Sequence, residues 1–306
     1  MKTHHCIRPL AFVLTGLIGA TGFATLPASA DPVFSFGPTQ SYVEADTEFA
    51  RNSTLTGDSP GPYTYLNAFS DTNPLSPTSG YSGPVFYGGY IFTSSSVQGS
   101  NPTRLVVNNS STINNNDALR IYAYRGSGWA GSTLGFASVY LFKQADFVAP
   151  YNTGTFSPDG FSVTYRASGP DSAFVPTGRW VVQIGDTYYV SQATITAAYN
   201  TVSTVSLSGT AFSSTQWAAY NPTTSLNFNQ SAAVFSPLDL SSVTGVGIYF
   251  EQDAYLGTAA TSGGLLAISA FSVTGTVTPV PEPATLALLF GLIALGAIAS
   301  KRRARR

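Results

Sequence analysis

Beyond its first few residues, this 306-residue chain offers carboxylates and aromatic rings for chemistry, and little else. Its two histidines, His4 and His5, and its single cysteine, Cys6, all lie in the first six residues. Nucleophile systems of the Ser-His-Asp and Cys-His kind need an imidazole base, so the rest of the chain cannot build one. The usual Cys/His zinc set is missing for the same reason, and no Gly-x-x-x-x-Gly-Lys phosphate loop occurs. Two carboxylates suffice to hydrolyse a glycoside, and Glu44, Asp46, Glu48, Asp159, Asp186, Glu251 and Asp253 are the candidates. Local context points elsewhere for several: Asp186 to a hairpin turn, Asp159 to the turn Pro158-Asp159-Gly160, and Asp117 to a loop cap. Glu251 and Asp253, placed after a strand, and the run Asn114 to Asp117 present hard oxygen ligands of the sort structural Ca²⁺ takes. Ordinary solvated loops are the other reading of both, no EF-hand spacing is present, and no other cofactor is expected.

Sugar binding needs ring faces for stacking beside amide or carboxylate groups. Trp129, in Gly126-Ser127-Gly128-Trp129-Ala130-Gly131, is the first candidate because a tryptophan in such a loop has no evident core duty. Trp217, followed by Tyr220-Asn221-Pro222, is the second. Packing onto the body is the alternative for each ring, and Trp180 reads as core.

Composition limits the partners. Charged residues are 9% of the chain, and Lys143 is the sole lysine between Asp31 and Pro279. Arg51, Arg104, Arg120, Arg125, Arg166 and Arg179 complete the cations there, and acidic residues outnumber these seven about two to one. With no basic patch to neutralise phosphates, nucleic acid is not an expected partner. Ser, Thr, Asn, Gly, Tyr and Phe fill the body, a surface suited to a hydrated sugar matrix and equally to a structural role.

The elements that must position these residues are strands. Helical periodicity is absent from the body, and short alternating runs are bounded by Gly, Pro, Asn, Asp and Ser. Strands are predicted at Val85–Thr93, bulged at Gly88-Gly89, and at Arg104–Val107, Leu119–Arg125, Phe136–Lys143 and Phe161–Arg166. Phe136, Ser138, Tyr140 and Phe142 fall on one face. Trp180–Ser191 is the clearest hairpin: Gly185-Asp186, glycine first, fits a type II′ turn, and that register puts Trp180, Val182, Ile184 and Tyr189 on one core face. Further strands are predicted at Val202–Leu207, Leu226–Phe228, Val246–Glu251 and Leu265–Val273. Residues 31 to about 83 are poorer in strand signals. The pattern predicts an all-β antiparallel β-sandwich, jelly-roll-like, as one body over 31–274. Two smaller sandwiches divided near Pro150 or Pro170 are the alternative.

Both ends carry targeting patterns. Lys2 and Arg8, the apolar stretch Leu10 to Leu26 and Ala28-Ser29-Ala30 form a secretory signal over 1–30, with cleavage by signal peptidase expected before Asp31. An uncleaved N-terminal anchor is the other reading. The mature chain would then lack cysteine and depend on its core alone. At the far end, a linker over 275–283 carries Pro281-Glu282-Pro283. An uncharged apolar run over 284–300 follows, then the basic tip Lys301-Arg302-Arg303-Ala304-Arg305-Arg306. As a helix those 17 residues would span about 26 Å, the short end for a bilayer crossing. The basic tip should stay cytoplasmic and the body face outward.

This tripartite tail resembles the PEP-CTERM sorting signal of Gram-negative bacteria that export polysaccharide. The resemblance covers about the last 27 residues of the chain. It implies processing by an exosortase at or near Pro281, Glu282 and Pro283, with the helix a temporary inner-membrane anchor; a permanent single-span anchor is the alternative. The body segments Leu238 to Phe250 and Ile268 to Val273 also resemble, loosely, galactose-binding-like jelly rolls and related carbohydrate-binding modules. The expectation is a non-enzymatic protein of the cell surface or matrix, associated with exopolysaccharide or biofilm. The alternatives are a carbohydrate-binding module and a carboxylate-dependent glycosidase.

Overall fold

The computed structural model describes residues 33–36, 46–48, 63–72, 85–94, 104–108, 118–123, 133–147, 154–168, 175–196, 198–256 and 264–278. Fourteen strands run through them: β1 (Phe34–Phe36), β2 (Asp46–Glu48), β3 (Tyr63–Ser70), β4 (Tyr87–Ser94), β5 (Arg104–Asn108), β6 (Ala118–Ala123), β7 (Thr133–Lys143), β8 (Thr155–Ser168), β9 (Thr177–Ile184), β10 (Thr187–Ile195), β11 (Ser203–Ser208), β12 (Trp217–Tyr220), β13 (Gly245–Leu256) and β14 (Gly264–Thr278). Two short helices, α1 (Gln144–Phe147) and α2 (Gly209–Ser213), complete the set with a 3₁₀ turn at Gln230–Ala232.

The strands form two seven-stranded sheets. Sheet 1 runs β11-β8-β14-β6-β5-β2, with β1 paired to β14; sheet 2 runs β12-β10-β9-β13-β7-β4-β3. Every pairing is antiparallel. Strands from both sides of Pro150 and of Pro170 contribute to both sheets. The architecture is an antiparallel β-sandwich.

Alternation explains the packing between the layers. Along β7, Phe136, Tyr140 and Phe142 point into the main core, while Ala137, Val139 and Leu141 point to the opposite face of sheet 2. The hairpin β9–β10 behaves the same way. Trp180 and Val182 are in the main core and Ile184 and Tyr189 pack against it, as their spacing predicts. Thr187 pairs with Ile184 across Gly185-Asp186. Gly185 sits at φ +57°, and Asp186 is not among the described left-handed residues, which fits the type II′ reading. Stacked rings bridge the layers: Phe142 on Phe271 at 5.5 Å and Phe161 on Trp180 at 5.5 Å. Each such pair adds about 0.5–1.5 kcal/mol beyond the area it buries.

Sheet 2 is covered on its outer face as well. A second cluster there contains Val181, Tyr188, Val190 and Tyr249 from the strands, and Leu226 and Phe228 from the segment after β12. Leu226–Phe228 is therefore not the strand its alternation predicts. It is irregular chain laid over the sheet, and sheet side chains take part in its backbone bonding: the Phe228 amide donates to Tyr249 Oη at 2.9 Å, and Tyr220 Oη donates to the Leu226 carbonyl at 2.6 Å.

Other departures are local. The bulge expected at Gly88-Gly89 falls in the neighbouring strand, where the β3–β4 register shifts between Asn67 and Ser70 opposite those glycines. The strand β14 continues through the start of the expected linker, with Gly275 to Thr278 paired to Pro158 to Thr155. It ends only where the described residues end. The expected signal over 1–30, the processing motif and the apolar tail over 284–300 lie outside the described residues. Among the described residues no helix is long and apolar enough to cross a membrane.

Candidate functional site

The residues singled out by type and spacing fall into three groups. Ala28, Ala30, Asp31, Pro281, Glu282, Pro283, Trp129 and the run Asn114 to Asp117 lie outside the described residues. Trp217 is buried, at 2% exposure, with its indole edge-on to Phe161 at 6.4 Å. It reaches the surface only as part of the lining of a pocket at the edge of the sandwich. Trp217 belongs to a short edge strand, β12, and faces the main core, whereas Tyr220, three residues on, faces the outer cluster of sheet 2.

Glu251 and Asp253 do not follow a strand; both lie within β13, which continues past a register shift between Gln252 and Tyr255. Tyr249 Oη donates to Glu251 Oε2, a charge-assisted bond. Among the described residues, no three His, Cys, Asp or Glu side chains gather as a metal would need. Of the other candidates, Asp159 and Asp186 lie on different sheets. Burial raises the pKa of the Tyr188 phenol, and Asp71 and Asp186 both raise it further. Thr274 Oγ1 donates to Asp159 Oδ1 at 2.5 Å on sheet 1, whereas Asp186 is exposed in the β9–β10 turn of sheet 2. Glu251 pairs with Thr177, at the far end of β9 from that turn. Seven residues of extended strand separate them by roughly 24 Å, against the 5–9.5 Å between glycosidase carboxyl groups.

The most polar buried arrangement centres on a residue the sequence did not mark. Arg179 is 2% exposed on the outer face of β9. Its Nη1 donates to the carbonyls of Ser191 (2.8 Å) and Gln192 (3.0 Å), and its Nη2 donates to Gln230 Oε1 at 2.8 Å. The guanidinium lies 5.3 Å from the Phe228 ring centre and 5.7 Å from that of Phe235. Burial pulls its pKa down, and the charge of Glu251 opposes that shift. Arg179 thus fastens the covering segment to the sheet through Gln230, Phe228 and Phe235.

Burial also pushes the phenols of Tyr140, Tyr220 and Tyr249 well above their ordinary range, with the Glu251 charge adding to the last two. Raised folded-state values mean that unfolded chains ionise first. Stability should hold below about pH 10 and fall above it, by up to about 1.4 kcal/mol per pH unit for each such tyrosine. Phenolate absorbance and circular dichroism followed on an alkaline titration check this. Ionisation of these three should coincide with unfolding, and full ionisation of all 17 tyrosines in a folded chain would refute it.

One open pocket, of about 290 Å³, lies at the edge of the sandwich. β11 and β12 are the edge strands of sheets 1 and 2 there, and α2 crosses between them. Opposite α2, the segment from Pro237 to Ser242 makes a second crossing. It is tied to sheet 2 by paired backbone bonds between Ser236 and Trp217 (2.8 and 3.0 Å) and to sheet 1 by Val243 N–H to the Phe156 carbonyl (2.9 Å). Phe212 and Trp217 form the floor, Leu238 and Leu240 the wall, and Asp239 stands at the rim. The Ser241 amide donates to Asp239 Oδ1 at 2.9 Å, which with the Ser241 hydroxyl holds that carboxyl below its ordinary range. No Lys or Arg lines the pocket.

No protein-family model matches the chain, and no curated protein is similar to it in sequence. Among solved structures, the fold is similar to a protein of Bacteroides thetaiotaomicron designated as sugar-binding, at 10% identity and TM-score 0.29, over 58% of this chain and 85% of that one. It is also similar to an exo-β-agarase at 11% identity and TM-score 0.28, over 70% of this chain and 25% of that one. A further agarase matches at 10% identity and TM-score 0.26, over 79% of this chain and 26% of that one. The chain spans about a quarter of the length of these two agarases.

Proposed function

We propose that this chain is an exported, non-enzymatic protein of the bacterial surface or extracellular matrix, associated with exopolysaccharide or biofilm. A signal peptidase removes residues 1–30 and an exosortase acts near Pro281-Glu282-Pro283. The body enters the periplasm on an inner-membrane anchor and then passes to the surface or matrix. The observation that carries this reading is the pair of targeting patterns at the two ends of one chain, with a sparsely charged β-rich body between them. A body without cysteine or histidine past Cys6 is held by its packed aromatic core rather than by disulfides. The wide separation of Asp186 from Glu251, and the engagement of Glu251 by Tyr249, support a non-enzymatic role.

The test is the intact mass of the protein recovered from surface and medium fractions of its native host. The expected species begins at Asp31 and ends near Pro281 to Pro283, bare or with an added group. A chain that retains Arg306 in the membrane fraction makes the tail a permanent anchor and removes the basis of the matrix assignment. A second reading, a carbohydrate-binding module, is favoured by the sandwich-edge pocket with its apolar floor and hydroxyl- and carboxylate-bearing rim.

A further inference from the structure

We propose that the pocket between α2 and the Pro237–Ser242 crossing binds one terminal ring of a neutral glycan. This inference rests on the carbohydrate-binding reading and assigns that reading a place, a ligand class and a residue.

Size argues for a single ring. At about 290 Å³ the pocket sits at the lower bound of small-molecule sites, about 300–1,000 Å³, too little for a run of sugar units. Shape argues for a chain end, because the pocket opens at the edge of the sandwich and is closed beneath by Phe212 and Trp217, both 8% exposed or less. A pyranose has C–H groups on its faces and hydroxyls around its rim. The pocket matches this with rings and leucines below and oxygen-bearing side chains above: Asp239, Ser213, Thr215 and Ser241.

Charge selects within the sugars. The carboxylate of Asp239 can accept from two ring hydroxyls, since its two oxygens offer about four acceptor sites and Ser241 uses only part of them. With no cation in the lining, the same carboxylate repels uronates, sulfated sugars and phosphates. The site is also preformed. Both ends of the Pro237–Ser242 crossing are pinned by backbone bonds, one end to each sheet, so little ordering entropy is lost when a ligand enters.

The test uses the full chain in a non-glycosidic detergent and two ligand sets: methyl glycosides of glucose, galactose and mannose, and methyl glucuronide. Calorimetry and ligand-observed NMR read the binding. At least one neutral glycoside should bind and the glucuronide should not. Asp239→Asn removes the charge from a fully exposed side chain without touching the core, and should weaken binding about tenfold or more, the loss of a charge-assisted hydrogen bond. Leu240→Trp should fill the pocket and abolish binding.

Glycoside binding that both variants leave unchanged overturns the pocket while the carbohydrate reading stands. Equal binding of the glucuronide overturns the neutral-sugar assignment. Failure of every neutral glycoside to bind overturns the inference altogether. None of these results bears on the processed mass of the chain, so export can succeed or fail independently.

Discussion

A chain carrying Gly247→Ala should lose at least about 4 kcal/mol of stability, among the largest losses a single methyl can cause. A Cβ at Gly247 would lie 2.0 Å from the Tyr140 carbonyl oxygen and 3.0 Å from its carbon. The obstacle is backbone of the adjacent strand β7, not a side chain that can swing away. Gly88, on the opposite side of β7, is in the same position: its Cβ would meet the Val139 carbonyl oxygen at 2.0 Å, and its φ of +140° already excludes ordinary side chains. The two glycines press on consecutive carbonyls of β7 from β13 and β4. Both faces of β7 are buried, so the strand has no direction in which to yield. Gly185→Ala is the comparator. Its Cβ meets nothing within 4 Å, and only the left-handed backbone at φ +57° resists it, costing about 1–2 kcal/mol. Denaturant midpoints of the three variants check the ordering. Gly247→Ala or Gly88→Ala chains as stable as Gly185→Ala would show that the sheet spreads to admit a methyl group.

Replacement of Arg179 by Met should cost about 3–5 kcal/mol, the range seen when one partner of a buried charged network is removed. The variant leaves the Ser191 and Gln192 carbonyls and Gln230 Oε1 without their donor, and Glu251 without its nearby cation. The guanidinium also leaves its place beside the rings of Phe228 and Phe235. Methionine fills much of the volume, so the loss reports bonding rather than a cavity. The damage should be local before it is global. The Phe228 amide, bonded to Tyr249 Oη, should lose hydrogen-exchange protection ahead of amides in β7 or β9. Glu251→Gln should cost less in the Met variant than in the unaltered chain, because the Arg179–Glu251 attraction is already gone. A loss under about 1 kcal/mol, in the range of an exposed ion pair, or uniform loss of protection would show that Arg179 does not fasten the segment.

Much of the sandwich is legible residue by residue. Phe136, Tyr140 and Phe142, and Trp180 and Val182, sit in the main core because a strand's two-residue period leaves apolar side chains no other placement once the layers close. Glycine ahead of aspartate at 185–186 sets the hairpin and, through it, the register of both strands. Leu226–Phe228 misleads for an instructive reason. Its alternation matches a strand, but it bonds the phenols of Tyr249 and Tyr220 instead of pairing with an adjacent strand. For Trp217 the sequence offers a ring but not its setting: pairing of β12 with β10 turns it inward, where it lines the edge pocket from beneath.

What the sequence by itself determines is what depends on residue type and short spacing: the exclusion of histidine and cysteine chemistry from the body, the apolar and basic runs on which the export proposal rests, the all-β class and the inward faces of the clearest strands. What only the tertiary structure decides are placements joining residues remote along the chain. Arg179 meets Gln230, and Asp239 meets the floor formed by Phe212 and Trp217. No local pattern encodes these meetings. They follow from two sheets closing over one core and from two crossings at its edge, each held by pairings that exist only after the layers have met.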